Sequence, residues 1–202
     1  MSIIELKNKK IIKTNNQIGK PQYGIVTIPI DFQDKLLLEK EISLVKSKLT
    51  TKAKTNSDQT NELRRVSNMW RIDANTFIGK YFKDIAIECN NVFNYKISQI
   101  QDLQYLEYEK DDFYGWHYDI DNNIASKKKI SISVLLNDDY EGGDLKINVN
   151  GEVNSTKEIL NIKEKGGAVA ICFPSFMIHQ VEKVTGGKRC CIVGWVGGES
   201  WK

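Results

Sequence analysis

Hydrophobic and polar positions divide the chain into two regimes. Up to about residue 96 the recurring apolar positions fall at helical spacing. Leu37, Leu38, Ile42, Leu44, Val45 and Leu49 predict a helix over about 32–49. Asp31 serves as its N-cap, and Asp34 falls in the first turn, where unpaired N–H groups favour negative charge. Phe77, Ile78, Tyr81, Phe82, Ile85, Ile87 and Val92 give a second helix within 74–93 its apolar face. Residues 50–62 between them are polar and lack a period, which predicts a loop. Tyr23–Ile30 is rich in β-branched residues and predicts a strand, and the Lys- and Asn-rich residues 1–20 fit an edge strand or an arm.

From about 97 onward short β-rich runs alternate with turn residues. Strands are expected at 99–109, 115–120, 129–136, 144–150, 158–163, 168–173, 177–184 and 189–196. Asp138-Asp139, Gly142-Gly143, Asn150-Gly151, Gly166-Gly167 and Gly186-Gly187 mark the turns. Such even spacing predicts a mainly β (α+β) jelly roll with the earlier helices packed outside it. A single domain over 1–202 is expected, with 1–96 supporting a barrel over 97–197.

Composition narrows the function classes. A chain of 202 residues buries a core without disulfides, and 41% hydrophobic with 27% charged residues is neither disordered nor fibrous. Lys+Arg 29 against Asp+Glu 26 leaves only +3, far from the concentrated basic charge of a domain that tracks phosphates. The longest apolar stretch is Ala168–Phe173, while a membrane helix needs roughly 20 such residues. The start, MSIIELKNKK, has no apolar h-region, so no signal peptide and no membrane association are expected. Cysteines 89, 172, 190 and 191 form no CxxC and read as reduced, buried thiols in the cytoplasm.

The chain has two histidines, His117 and His179. His117-Tyr118-Asp119 lies on a predicted strand, where residues i and i+2 share a face. His179, on a later strand, can supply a second nitrogen. Two His and one carboxylate, with other positions open, is the ligand set of non-haem Fe(II) oxygenases. Taken singly, either His reads as a satisfied polar core residue, and H-x-D alone is too short to be specific. Zinc is disfavoured, because there is no H-E-x-x-H, no cysteine pair at ligand spacing and no third His.

Arg189 begins the apolar run Arg189–Trp195 and by alternation shares a face with Cys191, Val193 and Trp195. A cation pointing into a barrel needs an anion, and a carboxylate matches the guanidinium fork. The alternative is an arginine at the barrel mouth paired with an acidic side chain. Tyr108 shares a face with Ile100 and Leu106, opposite Glu107 and Glu109. Its hydroxyl either meets a ligand carboxylate or sits at the rim of a core tyrosine.

The segment from Leu103 to Trp195 resembles the prolyl-4-hydroxylase-like branch of the 2-oxoglutarate/Fe(II) dioxygenases, which includes bacterial and phage PKHD-type hydroxylases. The resemblance rests on Leu103–Tyr108, Gly115–Asp119, Ile130–Asn137, Tyr140–Leu145 and Phe173-Pro174-Ser175. His179, Val181, Val184, Gly187, Arg189 and Trp195 follow in order. It implies a double-stranded β-helix. It implies His117, Asp119 and His179 as Fe(II) ligands and Arg189 as the anchor for the distal carboxylate of 2-oxoglutarate. Tyr108 would add a second hydroxyl there, and Ser131 stands where relatives carry a small hydroxylated residue near the cosubstrate. Many relatives have Lys at the position of Arg189, and many have Arg at that of Glu107, whose side chain is expected to face outward.

The implied reaction consumes O₂ and converts 2-oxoglutarate to succinate and CO₂ while hydroxylating an unactivated C–H, with ascorbate as a candidate reductant. A prolyl residue of a peptide or protein is the first substrate expected. A free amino acid, another side chain or a different small molecule are the alternatives. The N-terminal helices, the 50–72 segment with Arg64, Arg65 and Trp70, and the 110–116 and 121–128 loops are expected to select it.

Nucleic-acid demethylation is not expected, since no arginine follows Arg189. A non-catalytic metal module and a cupin-like metal protein without 2-oxoglutarate are the competing classes. In the latter, Arg189 and Tyr108 would have no dicarboxylate to hold. Lys127–Lys129 reads as a solvated run. Trp116 and Trp195 read as packing residues, with Trp116 a candidate wall of the substrate pocket.

Overall fold

The computed structural model describes residues 12–13, 24–48, 64–66, 68–120, 127–149, 152–155 and 168–201. In chain order the strands are β1 (Ile12–Lys13), β2 (Val26–Ile30), β3 (Arg64–Arg65), β4 (Asn68–Ile72), β5 (Ile97–Tyr108), β6 (Phe113–His117) and β7 (Lys128–Leu135). They continue with β8 (Tyr140–Gly142), β9 (Leu145–Val149), β10 (Glu152–Ser155), β11 (Ala168–Pro174), β12 (His179–Val181), β13 (Val184–Gly187) and β14 (Arg189–Gly198). Helix α1 (Phe32–Lys48) follows β2, and α2 (Phe77–Phe93) follows β4.

The pairings are antiparallel. One sheet runs β1-β2-β11-β7-β14-β5-β4, a second runs β10-β9-β12-β6-β3, and β13 pairs with β8. The larger sheet is apolar on both faces. On one face, Ala168, Ala170 and Cys172 of β11 join Leu38 and Ile42 of α1 and Ile78, Phe82 and Ile85 of α2. On the other, Val169, Ile171 and Phe173 join Leu145 and Ile147 of β9 and Val181 of β12. All seven residues of β11 are therefore buried, as a strand between two layers must be. The helices thus pack outside a two-sheet sandwich.

Local chemistry fixes the helix ends. Asp31 Oδ1 accepts from the Asp34 N–H at 2.8 Å, the expected cap. Asp34 turns inward, where its Oδ2 accepts from the Tyr81 hydroxyl at 2.8 Å and ties α1 to α2. Thr76 caps α2, and Asn94 closes it at φ 55° in the left-handed region that Asn tolerates.

Several expectations need correction. The strand expected at 115–120 starts at Phe113 and stops at His117, leaving Asp119 beyond it. The strand expected at 177–184 is two short strands. Thr185-Gly186-Gly187 is not a hairpin turn but part of β13, paired with β8. Strands β3, β4, β8 and β10 were unexpected. Strict alternation also fails along β5. Asp102 has φ 41°, and an extra residue is inserted where Gln104 pairs with Val193 but Gln101 with Trp195. Ile100 consequently packs with the helix-side core, not with Leu106 and Tyr108. The remainder of the 1–20 arm, the 50–62 loop, residues 121–126 and the 158–163 strand lie outside the described residues. No helix among the described residues is long and apolar enough to cross a membrane.

Candidate metal centre and active site

Strands β6 and β12 lie side by side, with His117 and His179 directly opposite each other. Their ring centroids are 4.2 Å apart. Each ring is oriented by the carbonyl two residues before it. His117 Nδ1 lies 2.8 Å from Gly115 O, and His179 Nδ1 lies 2.9 Å from Met177 O. A carbonyl only accepts, so each Nδ1 carries a proton, and in the neutral form of each ring Nε2 presents its lone pair. The Nε2 atoms face Asp119, at 3.7 Å from Oδ1 and 3.5 Å from Oδ2. A bulge in β6 brings Tyr114 onto the same side, and its ring stacks on His117 at 3.5 Å between centroids.

Backbone and hydroxyl groups hold Asp119 in place. Its N–H donates to Ser175 O at 3.0 Å. Ser131 Oγ donates to Asp119 Oδ2 at 2.5 Å and lies 3.0 Å from Ser175 Oγ. Burial pushes the Asp119 carboxyl pKa up. His179, hydrogen bonds from Ser131 and Trp195, and His117 outweigh it and hold the group below the ordinary aspartate range. One ligand atom from each of His117, Asp119 and His179 lies within 4.8 Å of the others.

These residues line a cavity of about 320 Å³ between the sheets, and the same cavity holds Arg189 and Tyr108. Arg189 is 1% exposed. Its Nη1 donates to Cys191 Sγ at 3.0 Å, and its Nε has no acceptor among the described residues. The guanidinium carbon lies 5.3 Å from the Tyr108 ring centre. Tyr140 also stands beside it: burial pushes that phenol up, while Arg189 pulls the other way. Gly143, at φ 66°, makes room for Arg189, since a Cβ there would come 3.2 Å from Arg189 Cδ. A buried cation short of an acceptor is the counterpart of an anion.

The donor set fits a metal with mixed nitrogen and oxygen preference. Two imidazoles and one carboxylate leave further coordination positions open, as Fe(II) oxygenase centres require. Residues 103–197 match the model of the 2OG-Fe(II) oxygenase superfamily. That match spans just under half of the chain. Iron(II), 2-oxoglutarate and dioxygen are the cofactors and cosubstrates the family implies. The three ligand side chains and Arg189 are chemically suited to hold the first two.

A PKHD-type hydroxylase of Synechococcus sp. (strain CC9311) is 38% identical over 90 residues, covering 44% of this chain and 38% of the relative. A second, from Prochlorococcus marinus, is 31% identical over 100 residues, covering 48% of this chain and 42% of the relative. The chain thus spans less than half the length of these two relatives. The fold is that of a Pseudomonas putida prolyl-4-hydroxylase, at a TM-score of 0.63 and 14% identity over 98% of this chain and 97% of that one. That is the double-stranded β-helix.

Other expected residues fall elsewhere. Trp116 is 38% exposed on the outer side of β6 and does not line the cavity, whereas Trp195 does. Trp70 is buried beneath α1, where its ring lies 5.4 Å from that of Tyr105, away from the cavity wall. Only Lys127 of the lysine run is solvated. Lys128 Nζ lies 3.8 Å from the Trp195 ring centre and Lys129 Nζ 3.5 Å from that of Trp201. Cys190 is half-buried; Cys89, Cys172 and Cys191 are buried, and all four are free. Glu107 faces away from the cavity but not into solvent. It is 5% exposed and bonded to Lys46 at 2.6 Å, Asn68 at 3.2 Å and Tyr105 at 3.1 Å.

Tyr114, Tyr140, Ser175 and Gln104 are site residues that periodicity does not reveal. Gln104, Tyr140 and Ser175 carry a sequence signal only through the stretches in which they sit, Leu103–Tyr108, Tyr140–Leu145 and Phe173–Ser175.

Proposed function

We propose that the chain is an Fe(II)- and 2-oxoglutarate-dependent dioxygenase that hydroxylates an unactivated C–H bond, with a prolyl residue of a peptide or protein as substrate. One observation carries this reading: a single cavity brings the three ligand atoms together and also encloses a buried arginine short of an acceptor.

Each side chain has a role. His117, Asp119 and His179 hold the iron through Nε2, a carboxylate oxygen and Nε2. Arg189 and Tyr108 hold the distal carboxylate of 2-oxoglutarate. Ser131 keeps Asp119 ionised and oriented. When bound, iron and 2-oxoglutarate activate dioxygen; one oxygen atom goes to succinate as CO₂ is lost, and the other to the substrate carbon. The apolar walls Leu106, Leu145, Phe173 and Val181 exclude water and confine that chemistry. Ascorbate would serve as the reductant that keeps iron in the ferrous state.

Support for a peptide comes from the relatives' names. A prolyl hydroxylase from Trichoplax adhaerens with a TM-score of 0.58 and 15% identity, covering 98% of this chain and 88% of that one, is in complex with a hypoxia inducible factor peptide fragment. The free cysteines fit a reducing cytoplasm.

The test is an aerobic assay with Fe(II), ascorbate, 2-oxoglutarate and a capped Gly-Pro-Ala-Gly peptide. Succinate is expected to form in step with peptide gaining one oxygen atom. Arg189→Ala is expected to need at least ~30-fold more 2-oxoglutarate, the scale of losing one partner of a buried charge pair. Turnover that is indifferent to 2-oxoglutarate would overturn the reading.

A further inference from the structure

Gln104 is a buried polar side chain of the cavity that neither the metal centre nor the Arg189 end accounts for. It is 5% exposed and lines the same cavity as His117, Asp119 and His179. Its amide cannot be reversed. Nε2 donates to Asp102 Oδ2 at 2.7 Å, and a carboxylate offers no proton in return. Asp102 is itself fixed: its Oδ1 accepts from Arg71 Nη1 at 2.9 Å, and its φ of 41° sits in the bulge of β5. The remaining atom, Gln104 Oε1, is buried without a hydrogen-bond partner among the described residues. An acceptor held this way is costly unless something entering the cavity donates to it.

The sheet register indicates what enters. Gln104 stands opposite Val193, and Val193 opposite Ser133. One two-residue step along the sheet lie Trp195 and Ser131, and Ser131 holds Asp119. Two strand spacings and one such step put the Gln104 backbone on the order of 12 Å from that of Ser131. A glutamine side chain and one peptide unit bridge that span. In the other direction the apolar row Leu106, Cys191 and Leu135 separates Gln104 from Arg189. Gln104 therefore belongs to the substrate side of the cavity.

We propose that Gln104 is a specificity-determining residue whose Oε1 accepts a hydrogen bond from an N–H adjacent to the prolyl ring. The inference rests on the prolyl reading of this site. A peptidyl proline has no N–H of its own, and the nearest is the amide of the residue that follows it. Free L-proline would offer the same chemistry from its ring ammonium. Poly-L-proline, whose following residue is again proline, would not.

The test measures KM and kcat on the full chain with three probes: capped Gly-Pro-Ala-Gly, the same peptide N-methylated at the alanine, and free L-proline. Wild type and Gln104→Leu are compared, with the half-saturating 2-oxoglutarate concentration read in parallel. In the wild type the methylated peptide is expected to have a KM about tenfold higher, the scale of one hydrogen bond. Gln104→Leu is expected to raise the KM of the plain peptide by the same factor, leave the methylated peptide unaffected and leave half-saturation by 2-oxoglutarate unchanged. If L-proline replaces the peptide as the probe that Gln104→Leu weakens, the donor is the ring ammonium.

Independent, multiplicative effects of methylation and substitution would overturn the proposal while the prolyl reading stands. So would a variant that alters 2-oxoglutarate saturation alone. Turnover of none of the three probes, in a protein that binds Fe(II) and 2-oxoglutarate, would overturn the prolyl reading and this inference with it.

Discussion

Ser131 has one proton to donate and gives it to Asp119, the single carboxylate in the ligand set. Removing that bond leaves Trp195 as the remaining side-chain hydrogen-bond donor to Asp119 and loosens its orientation toward the two imidazoles. Ser131→Ala is therefore expected to lower Fe(II) affinity by about 10- to 100-fold, the usual effect of losing a ligand's outer partner. Anaerobic metal titration measures it, with the circular dichroism spectrum unchanged. Undiminished affinity would remove Ser131 from the machinery. Glu107 makes a different prediction. Burial raises its pKa, but the hydrogen bond and charge of Lys46, the Tyr105 hydroxyl and Lys188 outweigh it and hold the carboxyl below its ordinary value. A depressed carboxyl adds stability that is full above the unfolded value of about 4.3 and is lost as pH falls through the folded one. The melting-temperature advantage of wild type over Glu107→Gln should shrink between pH 7 and pH 3; a constant gap would contradict it. At this scale the clustering of His117, Asp119 and His179 was legible because the chain has only two histidines. Tyr140 and Gln104 were not, because their roles depend on the partner strands they face.

Helix α2 reaches the larger sheet at a glycine. A Cβ on Gly194 of β14 would come 2.4 Å from Leu103 Cδ2 and 3.0 Å from a Phe82 ring carbon. The helix therefore docks directly against the backbone of the strand that begins with Arg189. Gly194→Ala is expected to cost about 1–3 kcal/mol, the usual penalty for overpacking a filled core. Urea unfolding measures it, and a neutral substitution would mean that the helix is not seated this tightly. Both helices were legible as 3.6-residue periodicity, and their observed bounds fall close to the expected ones. The strands were legible as runs but not in their detail. Bulges in β5 and β6 arise from the register of a pair, which one strand's own alternation cannot encode. That is why Ile100 changed face and why Tyr114 comes to the same side as His117.

At the scale of the molecule, one sheet serves two purposes. Its outer face carries the helical layer, and its inner face closes a cavity against the β6–β9–β12 sheet. The proposed iron ligands come from the smaller sheet and the segment just after β6, and the proposed carboxylate anchor from the larger one. The site therefore exists only when both sheets close on each other. This closure creates the centre where iron and 2-oxoglutarate are proposed to bind together. The most direct test is an anaerobic titration of the metal-free protein with Fe(II) and then 2-oxoglutarate, followed by visible absorption. A charge-transfer band is expected only after both additions. It should be absent from His117→Ala and need far more 2-oxoglutarate in Arg189→Ala. A folded, iron-loaded protein that gives no band at any 2-oxoglutarate concentration would contradict it.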